Sequence, residues 1–386
     1  MRLTEEVRRT AQEIAAGAQW VTVDESALDA VQRAAPPQLD PAAHYLEGTE
    51  EDVATFLVCM DTINFGSGWW PTIRKRPGMS GYFTMATGMA ERFRAHGAWS
   101  AAELRAMRTE EIADALGQPR DHELMALYAQ ALRELGRWLG GRGTLEAVRE
   151  ADGSAERLAE DLATGMAMFD DRGFYKRAQI VASDLALAGV ARFRDLDRLT
   201  IFADNLVPHV LRCDGVLVYD GRLAQHVDAE RPLRMGPQER EIRAGAVHAC
   251  ELIAARLGVS AHTLDHWLWQ RGQAPEYKAR PRHRCRTVFY EPPAGEGPCR
   301  RRSGVTSAVG SEPSPCSSAM RRSSSVIRVD IDCTASATGS GRCAQSASGP
   351  SGLRPSTRTG CPGLPTTVEF GGTSWMTTVF APIFAP

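Results

Sequence analysis

Asp204 stands inside LTIFADNLVPHVL (199–211), a run that is otherwise almost wholly apolar. A carboxylate there is either the cap of the helix that follows or a buried charge, and a buried charge needs hydrogen-bond or ionic partners. Held ionised, it would stabilise positive charge developing on a bound substrate. Lys176 lies in FYKRAQIVASDL (174–185), with Arg177, Gln179 and Asp184 on the same segment. Only three of the 45 basic residues are lysines (Lys75, Lys176 and Lys278), so this one beside Tyr175 and Ile180 stands out; its alternative reading is ordinary surface solvation. HTLDHWLWQRG (262–272) puts His266 and Gln270 on one helix face, Asp265 and Trp269 on the adjacent row, and Trp267 and Leu268 toward the core. That face offers acid, imidazole and amide groups to a ligand, or is simply solvated. DTINFGSGWWP (61–71) ends a helix near Asn64 and sets Trp69 and Trp70 behind a Gly-Ser-Gly loop. Aromatic faces beside such a loop can sandwich a planar ring; otherwise the tryptophans plug the core and Asp61 is a cap.

These segments have to be positioned by helices. Apolar residues recur three and four apart over 4–18, 51–63, 80–96, 100–116, 121–139, 154–168, 174–188, 238–257 and 261–271. In 238–257 the stripe is Ile242, Ala246, Ala249, Cys250, Ile253 and Leu257, with Glu239, Arg240 and Arg243 expected to face elsewhere. Gly117, Gly140-Gly141, Gly153 and Gly173 punctuate the elements, and only Trp20–Val23 and Val216–Tyr219 read as extended. The fold class is all-α over residues 1–290, as one large helical domain or two closely packed lobes with a cleft between them.

Composition sets the outer limits. Among 386 residues, 43% are hydrophobic and 24% charged, with a net charge of −2. No apolar run approaches a membrane span, and the charged opening MRLTEEVRRTAQEI lacks a secretory apolar stretch, so a soluble cytoplasmic protein is expected. Residues 291–386 differ: they hold 11 of the 22 prolines, five of the nine cysteines and 16 serines, without helical or alternating periodicity. Such a tail cannot bury enough apolar surface to offset its ordering entropy and is expected to be disordered. It carries nine Arg against six acidic residues, leaving 36 basic and 41 acidic residues in the body, a net of −5. An acidic body is a poor partner for nucleic acid or anionic lipid. The chain has no HExxH, paired CxxC, GxGxxG or GxxxxGK[ST] motif, so no metal and no cofactor is indicated. Cys59, Cys213, Cys250 and Cys285 sit in apolar surroundings and read as buried thiols.

DTINF, FYKRAQI, LTIFADNLVP, EREIRAGAVHACELI, LDHWLW and the closing HRCRTVFY, in this order between about residue 10 and Tyr290, together resemble the queuosine salvage protein family. The resemblance implies an all-helical fold similar to that of helix-hairpin-helix DNA glycosylases, and a queuosine 5′-phosphate N-glycosylase/hydrolase that releases queuine. It implies Asp204 as the catalytic carboxylate, Phe202 against the base, and Lys176 near the reacting sugar or its phosphate. Asp265, His266 and Gln270 would bind the queuine moiety, although the family often has Tyr and Asp at the last two positions. His44 falls where the family has a ligand-contacting histidine, and Asn64 and Trp70 belong to the segment matching its NF-aromatic-Trp pattern, here lengthened by GSGWW.

The implied substrate defines the task. Breaking a ribosyl C1′–N bond develops oxocarbenium-like charge on the sugar, which a carboxylate beneath C1′ stabilises by its charge or by attack. The leaving 7-deazaguanine has carbon at position 7, so activation must come from its other edges. Its side arm carries a secondary ammonium and a cyclopentenediol, suited to Asp265 and to His266 with Gln270. The 5′-phosphate needs cations, for which Lys176 comes first, then Arg177 and Arg243. The rival readings are a helix-hairpin-helix DNA repair glycosylase, disfavoured by the acidic body and the lack of an LPGxG-like hairpin, and a non-catalytic queuine- or nucleotide-binding protein.

Overall fold

Helices α1 (Leu3–Ala16), α2 (Glu50–Thr62) and α3 (Gly81–His96) begin a computed structural model that describes residues 2–288. The tail assigned to disorder, and the last two residues of HRCRTVFY, lie outside the described residues. The chain continues through α4 (Ala101–Ala106), α5 (Thr109–Ala115), α6 (Glu123–Leu139), α7 (Thr144–Arg149), α8 (Ala155–Gly165) and α9 (Lys176–Leu187). It ends with α10 (Val207–Cys213), α11 (Gly221–Asp228), α12 (Pro237–Leu257), α13 (Ala261–Arg271) and α14 (Pro275–Lys278). The two extended pieces pair with each other: β1 (Val21–Val23) runs antiparallel to β2 (Leu217–Tyr219), with Val21 opposite Tyr219 and Val23 opposite Leu217. Among the described residues this is the one named sheet, so the all-α class stands. No helix of the described residues is long and apolar enough to cross a membrane.

Local chemistry accounts for most boundaries. Thr49 Oγ1 accepts the Asp52 N–H at 3.2 Å while Asp52 Oδ2 accepts the Thr49 N–H at 3.1 Å, a reciprocal cap that starts α2. Ser80 Oγ accepts the Phe83 N–H at 3.2 Å and starts α3. Pro237 opens α12 at its first position, and Gly258, at φ 63°, closes it in the left-handed conformation that suits glycine. The periodic stretch 100–116 is two helices. Met107 leaves the helical conformation, buries its side chain, and turns its carbonyl to Arg133 Nη1 at 2.7 Å. Glu111 then accepts the Arg108 N–H at 3.0 Å and starts α5.

Two helices form the spine. Every residue of α2 from Val53 to Thr62 is buried, with α3, α6, α7 and α9 packed around it. Helix α12 lies against α1, α10, α13 and the β1–β2 ribbon. Its supposed polar face is buried as well: Glu239, Glu241 and Arg243 are all withdrawn from solvent, so the expectation that Glu239 and Arg243 face away from the core fails. For Glu241 and Arg243 the reason is a set of partners inside. Glu241 accepts the N–H groups of Gln19, Trp20 and Val21 at 2.7–3.2 Å, anchoring the entry to β1. Arg243 makes two bonds to Asp171, at 3.1 and 2.8 Å, and a third to the Ala203 carbonyl at 2.7 Å, beneath the Phe174 ring. One buried cation thus ties together the chain entering α9 and the chain entering α10.

Candidate active site

A cavity of about 360 Å³ opens where those two entries meet α13. Asn64 reaches it from the C-terminal end of α2, and Trp70 from the Gly-Ser-Gly loop that follows. Lys176, Ile180, Asp184 and Leu187, spaced four, four and three apart, present one face of α9 to it. Phe202 and Asp204 come from the segment before α10, Asp265, His266, Trp269 and Gln270 from α13, and His44 from the stretch before α2. All nine residues singled out in the sequence therefore line one cavity. Tyr82, Phe83, Lys278 and Arg282 join them.

Asp204 is half-buried, and both of its candidate roles have a geometric basis. Its Oδ1 accepts the N–H groups of Leu206 at 2.6 Å and Val207 at 3.0 Å, which caps the entry to α10. Among the described residues no hydrogen bond engages Oδ2, and the side chain borders the cavity. Two positive charges act on it, those of Lys176 and Arg282. Lys176 points inward, not into solvent: its Nζ donates to the Asn64 carbonyl at 2.9 Å and to Asn64 Oδ1 at 3.3 Å, and burial lowers its pKa. The residue before it, Tyr175, holds φ 49° and ψ 39°, a left-handed conformation uncommon outside glycine. Asp171 imposes this turn, its carbonyl accepting the Tyr175 N–H at 2.7 Å while its carboxylate is clamped by Arg243. The strain places Lys176 at the start of its helix, facing Asp204.

Three further carboxyl groups surround this pair. Asp265 Oδ1 accepts the Phe202 N–H at 2.8 Å, yet its pKa rises to about 8, first through burial and then through the neighbouring Asp204 charge. Burial likewise raises Asp184 to about 7. Asp61, expected as a cap, lies fully inside at the end of α2, and burial with the Asp184 charge pushes its pKa well above the ordinary range. With a pKa of about 8, Asp265 is mostly protonated near pH 7 and able to donate one hydrogen bond. These acids carry a stability signature. Their folded pKa values exceed the unfolded value of about 4, so their contribution is complete below that pH and is lost as pH rises toward 8. Asp265→Asn keeps an oxygen for the Phe202 N–H but cannot ionise. Its melting temperature should fall less steeply than that of the wild type between pH 5 and 8; parallel curves would mean that Asp265 is already ionised across that range.

The other wall is aromatic. Tyr82 and Trp269 meet edge to face with centroids 5.5 Å apart, and Phe83 packs on the same indole at 5.8 Å. His44 sets the Tyr82 hydroxyl. Its Nδ1 faces the Asp40 carbonyl at 2.9 Å, which can only accept, so Nδ1 carries the proton and Nε2 accepts from Tyr82 O–H at 2.8 Å. Burial lowers the pKa of His44 and keeps this neutral tautomer. Ser183 Oγ lies between His262 Nε2 at 2.9 Å and His266 Nε2 at 3.0 Å. With one proton, it donates to one ring and accepts from the other, so the two imidazoles adopt opposite tautomers. Burial depresses both, His262 to about 4 and His266 to about 3.

Several assignments change. Trp69 is a core residue whose Nε1 donates to Glu123 at 2.6 Å, leaving Trp70 alone at the cavity. Arg243 does not reach the cavity, and Arg177 is spent on the carbonyls of Thr62, Met168 and Val288 between the Phe65 and Phe169 rings, which makes both poor phosphate ligands. Cys59, Cys250 and Cys285 are buried thiols as expected, whereas Cys213 is only half-buried. Sequence reasoning did not assign Tyr82, Trp269, Asp184 or Arg282 to the site. For Asp184 the signal was available, since it follows Lys176 by eight residues and shares its face. Nothing local marks Tyr82, which is recruited by His44 from a different segment.

The arrangement—a carboxylate with an unbonded oxygen, flanking cations, buried acids of raised pKa and an aromatic wall—suits a planar base joined to a sugar. Comparison with known proteins agrees with it. Residues 43–290 match the family model described as queuosine salvage protein. A protein of Sphaerobacter thermophilus named queuosine 5′-phosphate N-glycosylase/hydrolase is 30% identical over 316 residues, spanning 74% of this chain and 97% of its own length. Proteins of the same name from Dictyostelium discoideum (29% identical; 62% of this chain, 79% of its own) and Mus musculus (30% identical; 39% and 52%) are similar as well. The matched span contains every residue described around the cavity apart from Gln38, Leu39 and Asp40 at its edge. The chain belongs to the queuosine salvage protein family.

Proposed function

We propose that the cavity hydrolyses the N-glycosidic bond of queuosine 5′-monophosphate and releases queuine; its relatives carry the name queuosine 5′-phosphate N-glycosylase/hydrolase. The observation that carries this reading is Asp204, whose Oδ1 is held by two backbone N–H groups while its side chain borders the cavity with Oδ2 in no hydrogen bond among the described residues. Rigid capping fixes the carboxylate before substrate arrives, which is what electrostatic stabilisation of an oxocarbenium-like state requires. As the C1′–N bond breaks, its electron pair leaves on the base and water supplies the hydroxyl that ends on C1′. Carbon at position 7 denies the base its usual protonation site, so donors on other edges have to carry the leaving group. Asp184, protonated in part near pH 7 because burial raises its pKa to about 7, meets that need on one edge, and Phe202 supports the ring. A secondary ammonium on the side arm would give Asp265 the cationic partner it lacks, with His266 and Gln270 beside the diol.

The neighbouring residues act on position. Lys176 and Asn64 form one hydrogen-bonded unit at the sugar end, while His44, through Tyr82, and Trp70 border the ring. No nucleic acid is required, and the free cysteines of the described residues fit a reducing, cytoplasmic setting. The test is incubation with queuosine 5′-monophosphate and mass-spectrometric detection of the free base. Free queuine in amounts exceeding the enzyme supports the reading; tight retention of intact nucleotide would instead identify a carrier.

A further inference from the structure

Arginine recurs at alternate positions in RPRHRCR, residues 280–286. Three of the four are paired with carboxylates: Arg280 with Asp228 at 3.6 Å, Arg284 with Glu230 at 3.5 Å and Arg286 with Glu123 at 3.9 Å. Arg282 has neither an ion pair nor a hydrogen bond among the described residues, although it is half-buried and lines the cavity. Burial lowers its pKa, and the Asp204 charge acts the other way. Its direction is set by its neighbours. Leu233 N–H donates to the Arg284 carbonyl at 2.8 Å, Asn205 Nδ2 donates to the His283 carbonyl at 3.4 Å, and His283 and Cys285 are buried. The Cys285 backbone also runs so close over the Gly68 loop that a Cβ at Gly68 would lie 2.4 Å from the Cys285 carbonyl oxygen. The segment cannot rotate without breaking these contacts, so Arg282 is held facing the cavity.

A guanidinium withdrawn from water without a fixed partner is costly, and its planar fork matches an oxyanion. Lys278 adds a second cation at the exposed rim of the same cavity. The other basic groups nearby are occupied: Lys176 by Asn64, Arg177 by three carbonyls and Arg243 by Asp171. We propose that Arg282, with Lys278 at the rim, binds the 5′-phosphate of the substrate and sets the preference for nucleotide over nucleoside. This rests on the hydrolase reading above. It moves the phosphate from Lys176 to Arg282, leaving Lys176 to the sugar.

The test compares kcat/KM for queuosine 5′-monophosphate and for the nucleoside queuosine, in the wild type and in Arg282→Gln. The wild type should prefer the nucleotide, and the variant should lose about 30-fold more on the nucleotide than on the nucleoside, the loss expected for one charged hydrogen-bonded contact. Arg282→Lys should recover part of that difference, and inorganic phosphate should inhibit the wild type competitively but the glutamine variant weakly. Equal losses on both substrates would overturn the proposal and assign Arg282 to Asp204 or to the fold. Base release by the wild type is scored separately, so failure of the hydrolase reading is distinguishable from failure of the phosphate assignment. Melting temperatures of both variants check folding.

Discussion

Asp204→Asn is expected to lower kcat for base release by about 10³-fold or more while the protein stays folded and binds its ligand. The substitution separates the two duties of this side chain. The amide oxygen can still accept the Leu206 and Val207 N–H groups at the entry to α10, and asparagine caps helices as well as aspartate. What disappears is the negative charge on the side chain that borders the cavity. Asp204→Ala removes both, so it should match the asparagine variant in rate and lose about 1 kcal/mol more in stability. Single-turnover base release, a thermal melt and calorimetric ligand binding measure the three quantities. Turnover within a few fold of wild type in the asparagine variant would leave the carboxylate as a cap and nothing more.

The largest stability effect should come from Arg243→Met, at about 3–5 kcal/mol. The side chain is fully buried, and its removal leaves the Asp171 carboxylate, itself buried, without its bidentate partner. The Ala203 carbonyl also loses its donor, and the Phe174 ring loses the guanidinium 4.0 Å from its centroid. Replacing both members of the pair by apolar residues, Arg243→Met with Asp171→Leu, should restore much of the loss, because no buried charge is then left alone. The site should respond too. Asp171 Oδ2 accepts the Lys176 N–H at 3.3 Å, and Ala203 immediately precedes Asp204, so Arg243 holds the segments of Lys176 and Asp204 in register. Activity well below the melting temperature should fall about tenfold, the sensitivity expected of small displacements at a reacting centre. Denaturant unfolding checks the first claim; a loss under 1 kcal/mol would show that water or another cation takes the place of the guanidinium.

The long helices were legible because their faces repeat often enough to define a period. Segments 51–63, 80–96, 238–257 and 261–271 end within about a residue of α2, α3, α12 and α13. The short helices α7, α10 and α11 were not, since one or two turns carry no measurable period and owe their stability to packing. Residue types also misled where charges lie inside. Glu239 and Arg243 read as facing away from the core, and the surface alternative for Lys176 stayed open, because partners such as Asp171 and Asn64 are remote in sequence.

By itself the sequence determined the helical class, the pairing-competent extended pieces, the family and the nine residues that meet at the cavity. Only the tertiary structure decided that Asp204 is simultaneously cap and cavity wall, that Arg243 is a structural clamp, that His44 acts through Tyr82, and that Arg282 alone of its row turns inward. The division follows from range. Periodicity and motifs record what a residue does with neighbours along the chain, whereas the charge state, tautomer and direction of a buried polar group depend on partners that folding brings from tens to hundreds of residues away.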